Sequence, residues 1–479
     1  NGVNSSTTVI VIDTAGNEVE VTITITVVEE LTPFANGYYN FRFADTKTRN
    51  TFMAAAELYL LQTTYGGIPV FSNSGFAMYS DRLELPVPEY VPVMGFGTSF
   101  STMSFDDSFV EMPDGEYGEE GKYTYRSAMT DNPDTFFHWN YQDSNSSDAI
   151  GLFLDSPYDF VFNDTMDGYK VIPSMAKDLP QPVDGTSRVI GATEVSKQWY
   201  FEVREGLKWT YHEDTDISNF PEGHENITAK DFYETYKLAL TNEWFRAVSG
   251  GGDFIVYKVV NALKFTEDKA EWEDVGIKHD EENNRITFIF EDEMSQWDIE
   301  YWLASFVMGP INLALYDSLE EKDAYGSTPE TTAYNGIFTL TYYEHDKLIE
   351  YQKNPNFHRE DEYFLTGWTY SIIKDAEVRW QEFLAGKLEA ATVPTSQYPE
   401  YKNDPRLKII PGTTTFRIMV NGLGTVEAQQ EQFPGSDYVP VPLLGHDSFK
   451  QAMYWAIDRE YLAWEVLLTS TPQMFHFTD

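Results

Sequence analysis

Carboxylates and imidazoles are the residues of this sequence best able to do chemistry, and their spacing does not organise them for it. Eight histidines, among them His138, His224, His279, His358 and His446, form no HExxH pair and no close cluster. A solitary histidine is more often a surface or satisfied core residue than a base or a ligand. Neighbours such as Glu281 with Glu282, or Glu320 with Glu321, could exchange protons, yet 77 Asp and Glu residues supply such pairs by chance. Asp214, Asp216, Asn219 and Glu222 could gather on a calcium ion, but the run lacks the glycine and the distal glutamate of an EF-hand loop. The chain has no cysteine, which removes thiolate nucleophiles, thiolate zinc sites and disulfides together. There is no G-x-S-x-G elbow, and glycines 250–252 are followed by no Lys-Ser/Thr pair, so they make no phosphate loop. The expectation is a protein that is not an enzyme, without cofactor and without metal.

What remains is binding, and the composition narrows its kind. With 33 basic against 77 acidic residues the formal charge is −44, which repels nucleic-acid backbones and anionic headgroups. Aromatic content is 16%. Trp139, Tyr141, Trp199, Trp209, Tyr334, Trp368 and Phe416 fall in or near strands, where most should pack and a few could line a cleft. No apolar run reaches the ~20 residues of a membrane span. The start of the sequence has no basic or apolar leader region, which reads as a trimmed chain more than as a cytoplasmic address.

Strands and helices must position any such residues. Residues 337–343 and 347–351 are two β-rich runs around Glu344, His345 and Asp346, an antiparallel hairpin that stops at Asn354-Pro355. Residues 7–28 alternate about the turn formed by residues 13–17, a second hairpin, which needs a partner sheet. Residues 48–61 read as a helix with Phe52, Ala55, Ala56, Tyr59 and Leu60 on one face. A helix with a Tyr/Phe-rich tail is expected over 147–160. Another starts at Thr228, with Asp231 placed to complete a capping box. Further strands are expected over 285–291, 368–374 and 414–421, and a helix over 376–384.

Four stretches in order then carry a resemblance. Residues 199–209 (WYFEVREGLKW) with 226–236 (NITAKDFYETY), residues 334–360 (YNGIFTLTYYEHDKLIEYQKNPNFHRE), residues 375–393 (DAEVRWQEFLAGKLEAATV) and residues 447–460 (DSFKQAMYWAIDRE) resemble the extracellular solute-binding proteins of family 5. Those are the peptide, dipeptide and nickel receptors of ABC importers. The resemblance implies an α/β fold, two-lobed and periplasmic-binding-protein-like (type II, cluster C), with mixed sheets. The first hairpin resembles the close of a bacterial Ig-like module. The domain expectation is residues 1–33 as the end of an Ig-like β-domain and 34–121 as a segment similar to the family's C-terminal closing element, permuted or repeated. Residues 122–374 would be the first lobe with its inserted subdomain, and 375–479 the start of a truncated second lobe.

By the same resemblance the function is capture of oligopeptides in an interlobe cleft and delivery to a permease. Thr135, Phe137, Trp139, Asn140, Tyr334, Asn335, Phe416, Arg417 and Asn421 are the implied ligand contacts. Extended main-chain pairing with roomy side pockets would give affinity without sequence selectivity. An oligosaccharide receptor of the same fold, or an Ig-bearing surface protein using the fold as scaffold, is the alternative. The implied partners are the peptide and the ABC permease subunits, with no nucleic acid, and a monomer is expected. The implied location is extracellular, on the cell surface as a lipoprotein or in a periplasm-equivalent space. Any lipidated cysteine would lie upstream of residue 1.

Overall fold

The alternating residues after Gly336 fold as their pattern predicts. Strands Phe338–Glu344 and Leu348–Lys353 pair antiparallel, with Phe338 opposite Lys353 and Glu344 opposite Leu348. A computed structural model describes residues 4–12, 18–26, 46–63, 67–190, 193–249, 254–412, 414–468 and 470–474. Strand Gly367–Ile372 continues the hairpin antiparallel, and Thr124–Met129 adds in parallel, so this four-stranded sheet is mixed. Asn354 ends the ladder from a buried position: its Nδ2 donates to the Gly336 carbonyl at 2.9 Å and its Oδ1 accepts from Asn356 N at 3.0 Å. The side chain thus closes the turn that Pro355, lacking an N–H, cannot.

Two compact units emerge. A central unit comprises Phe76–Val189 and Glu194–Ile410; the other comprises Asn1–Gly75, Ile190–Thr193 and Pro411–Asp479. Besides the mixed sheet, the central unit holds a second sheet in which Thr193–Glu202 and Ile277–Asp280 flank Arg285–Ser295, all antiparallel. Helix Ala229–Thr241 buries Phe232, Tyr236, Ala239 and Leu240, an apolar stripe at helical spacing. Its start is the expected capping box, with Thr228 N donating to Asp231 Oδ2 at 2.8 Å. A third sheet joins Gly75–Tyr79 to Ala390–Thr392 and Leu407–Ile410.

A buried ion network fixes that distant joint. Glu389 accepts from Arg82 Nη1 at 2.7 Å and from Arg126 Nε at 2.9 Å, while Asp107 takes the other arm of Arg82. Asp107 also accepts from Thr124 N at 2.9 Å. Each of these four side chains is nearly inaccessible to solvent. Such a network survives burial because every charge is matched and hydrogen-bonded; removing one member leaves a charge without water or partner.

In the other unit, strand Ile68–Asn73 lies between Thr415–Ile418 and Ser470–Pro472, antiparallel to both. Arg459, just past helix Asp447–Ala456, donates from Nε to the Pro69 carbonyl at 2.9 Å. The strands Asn4–Ile12 and Glu18–Thr26 pair antiparallel; the expected turn at 13–17 and the glycines 250–252 lie outside the described residues.

Two expectations need correcting. Helix Ser144–Ile150 starts earlier than residue 147, because Asp143 caps it through Ser146 N at 2.8 Å, and the Tyr/Phe-rich tail follows it. The chain then turns at Gly151 and forms strand Tyr158–Phe162 straight after Pro157. Helix Thr46–Thr63 covers the expected 48–61, but Tyr59 is 64% exposed and Glu57 is buried. Phe52, Ala55 and Ala56 of the expected face are half-buried.

Candidate functional site

The nine implied contacts divide between the units. Six belong to the central unit, and four of those are core side chains. Trp139 is fully buried, with Tyr236 at 6.2 Å and Trp244 at 6.4 Å between ring centroids. Phe137 meets Trp244 and Tyr325 edge-on at 4.8 and 5.3 Å. Tyr334 is fully buried and donates to the Pro329 carbonyl at 2.6 Å. Asn335 is buried and accepts from Asp155 N at 2.9 Å. These four side chains are buried in the core of the central unit.

The Tyr-Asn-Gly run owes its form to this. Asn335 N and Gly336 N both donate to the Phe153 carbonyl, at 3.1 and 2.9 Å. A Cβ on Gly336 would lie 2.7 Å from Leu154 N. Only glycine lets the two backbones touch, and that contact seats the hairpin on the 152–155 segment. Thr135 and Asn140 do reach solvent. Thr135 Oγ1 accepts from Phe137 N at 3.0 Å, and Asn140 Oδ1 accepts from Phe245 N at 3.1 Å.

The remaining three lie in the other unit, on or just after an outer strand. Among the described residues, Thr415–Ile418 is an outer strand of its three-stranded sheet, next to Ile68–Asn73. Phe416, 44% exposed, stacks on Phe71 at 5.0 Å, and Arg417 is exposed beside it. Asn421 spends its side chain locally, accepting from Leu423 N at 2.9 Å and donating to Gln429 at 3.0 Å.

Sequence reasoning missed two cavities of the central unit. One, of about 1290 Å³, opens between the 214–226 loop, the start of helix Ala229–Thr241 and residues 312–319. Asp214, Asp216, Glu222, Asp231, Glu234, Asp317 and Glu330 line it, against Lys230 alone. The four residues first considered for calcium all line this cavity; among the described residues Asp214 also forms a close group with His212 and Glu330, whose ligand atoms lie within 4.8 Å of one another. Both nitrogens of that imidazole are engaged, Nε2 with the Thr341 carbonyl at 3.1 Å and Nδ1 with Asp214 N at 3.2 Å. An engaged lone pair is a poor metal ligand.

The other cavity, about 340 Å³, is lined by Asp155 and Asp159 together with Phe100, Phe160, Phe306, Phe357 and Tyr363. Burial, reinforced by Asp159, pushes the Asp155 carboxyl up to about 7. Nothing in the local sequence around Asp155 marks it, since its surroundings come from residues 100, 306 and 357–363.

A family model described as bacterial extracellular solute-binding proteins, family 5 Middle, matches residues 170–473. The oligopeptide-binding protein SarA of Streptococcus gordonii is 25% identical over 234 residues, 47% of this chain and 31% of that protein. The oligopeptide-binding protein OppA of Bacillus subtilis is 24% identical over 270 residues, 54% of this chain and 44% of that protein. The chain thus spans less than half the length of each. The solved structure of the pheromone receptor PrgZ aligns with a TM-score of 0.51 at 15% identity, over 71% of this chain and 58% of that one. That likeness is one of fold, a two-lobed α/β architecture with mixed sheets. Among the described residues no helix is long and apolar enough to cross a membrane. Matched over more than half its length, the chain belongs to the bacterial extracellular solute-binding proteins of family 5, a family of solute binders and not of enzymes.

Proposed function

We propose that this protein captures oligopeptides outside the cell and passes them to the permease of an ABC importer. The observation that carries the reading is the strand Thr415–Ile418, outermost in its sheet among the described residues, whose exposed Phe416, Arg417 and Ile418 suit contact with an extended peptide. Affinity then comes from main-chain hydrogen bonds, and side chains contribute little selectivity. Arg417 and Phe416 flank the added strand, and Thr135, Asn140 and Asn421 are the remaining contacts that reach solvent. The names of SarA and OppA support a peptide as the solute. In the same reading the chain acts as a monomer, held at the cell surface by a lipid anchor, with the Asn4–Ile12 and Glu18–Thr26 pair closing an Ig-like module.

Native mass spectrometry of the purified protein, as isolated and after mild denaturation, tests this. A ladder of co-purified masses matching mixed peptides is expected. Peptides methylated on alternate backbone nitrogens should bind at least about tenfold more weakly than their parents, each lost hydrogen bond removing about 1 kcal/mol. Hexose-spaced masses, or equal binding of methylated and parent peptides, would overturn the reading.

A further inference from the structure

The smaller cavity holds a carboxylate to which, among the described residues, no basic side chain donates a hydrogen bond. Asp155 is more than nine-tenths buried, and among the described residues its two oxygens receive two protons. Ser156 N–H reaches Oδ1 at 2.8 Å, and the single Ser174 hydroxyl proton is shared between Oδ1 at 2.8 Å and Oδ2 at 2.9 Å. The basic groups nearby are occupied elsewhere. Arg359 binds Asp159 at 2.8 Å, Ser174 Oγ at 3.2 Å, and Glu362 through Nε at 3.0 Å and Nη2 at 2.7 Å. Arg204 donates to the carbonyls of Ser174 and Ala176. His358 sits with Nδ1 3.8 Å from Asp155, but burial and the two arginines bring its pKa down to about 4, which leaves it neutral. Asp159 and Glu362 add negative charge on the same side, and Tyr363 adds none at neutral pH.

Aromatic rings surround this carboxylate. Phe100 and Tyr363 stack at 5.1 Å, and Phe160, Phe306 and Phe357 complete the wall. A carboxylate held out of water among ring faces has two remedies, a proton or a cation. Ring faces attract cations as well, through their quadrupoles. We propose that this cavity is a binding site for an aliphatic primary ammonium group, which pairs with Asp155 and Asp159 while its methylenes lie against Phe100, Phe160 and Tyr363. The site lies within the central unit and does not depend on the peptide reading. Proton and ammonium compete for it: the rise of Asp155 toward neutrality is the empty cavity's own compensation.

Isothermal titration of the whole protein with n-butylamine at pH 8 tests the proposal, with n-butanol as the uncharged control and trialanine as an ammonium carried on a peptide. Saturable binding of n-butylamine and none of n-butanol is expected, weakening by about tenfold or more at pH 5.5 as Asp155 takes up its proton. Asp155→Asn should abolish the binding. Phe160→Ala, at the partly exposed wall, leaves both carboxylates in place and should weaken it several-fold, so the test stands even if the first variant folds poorly. Trialanine binding that is lost in Asp155→Asn would identify a peptide terminus as the source of the ammonium; n-butylamine binding alone would identify a free amine. Equal binding of n-butanol, no binding at pH 8, or binding unchanged in a folded Asp155→Asn protein would overturn the proposal.

Discussion

Residues 334–336 and residues 415–418 carry the same kind of family resemblance and meet solvent in opposite ways. The first run is buried, its amides given to Phe153 and its glycine pressed on the neighbouring backbone. The second is an outer strand with exposed side chains. A recognisable motif can therefore mark either a joint that holds a site or a surface that presents one. Burial decides between them, and spacing alone does not.

The comparison can be broken most forcefully at Trp139. As a fully buried joint residue, Trp139→Ala should cost about 3–5 kcal/mol in denaturant unfolding. Peptide affinity of the folded fraction should stay unchanged; a selective loss of affinity with normal stability would move Trp139 to the contact side.

A pH series sharpens the contrast within the buried region itself. The Asp155 carboxyl lies near 3.8 unfolded and is pushed up to about 7 by burial when folded, so its contribution to stability is full below about 4 and declines as pH rises toward 7. His138 and His358, lowered to about 4 by burial, act with the opposite sign, adding stability as pH rises from 4 to 6.5. The useful quantity is thus the difference between the wild-type protein and Asp155→Asn. Relative to the variant, the wild type should lose stability on the order of a few kcal/mol between pH 4 and 7. A flat difference would show that Asp155 is compensated in the native state.

The smallest effects belong to the exposed strand. Phe416→Ala should change stability by about 1 kcal/mol or less, the loss being its stack on Phe71. Arg417→Ala should lower peptide affinity by less than about tenfold if main-chain pairing dominates. A hundredfold loss from Arg417→Ala would make the strand a side-chain reader.

Local features were legible from sequence because their causes are local. The 338–353 hairpin follows from alternation ended by Asn354-Pro355, and the capping box from Thr228 and Asp231 three residues apart. The surroundings of Asp155 were not legible, because they are assembled from segments as distant in sequence as Phe100, Phe306 and Tyr363. The inward facing of Phe137 and Trp139 was not legible for a related reason. Alternation gives two faces without saying which meets the core, and Phe137 and Trp139 take the inner one.

The ion network of Arg82, Asp107, Arg126 and Glu389 has a consequence in time. Arg82 and Glu389 are 307 positions apart. At about 5–20 residues per second, roughly 15–60 s of synthesis separates them. Throughout that interval both arginines emerge without their shared carboxylate, and Gly75–Tyr79 lacks the Ala390–Thr392 strand it pairs with. The central unit therefore cannot close its third sheet as the chain is made; it waits, with an open strand edge, for the segment around Glu389.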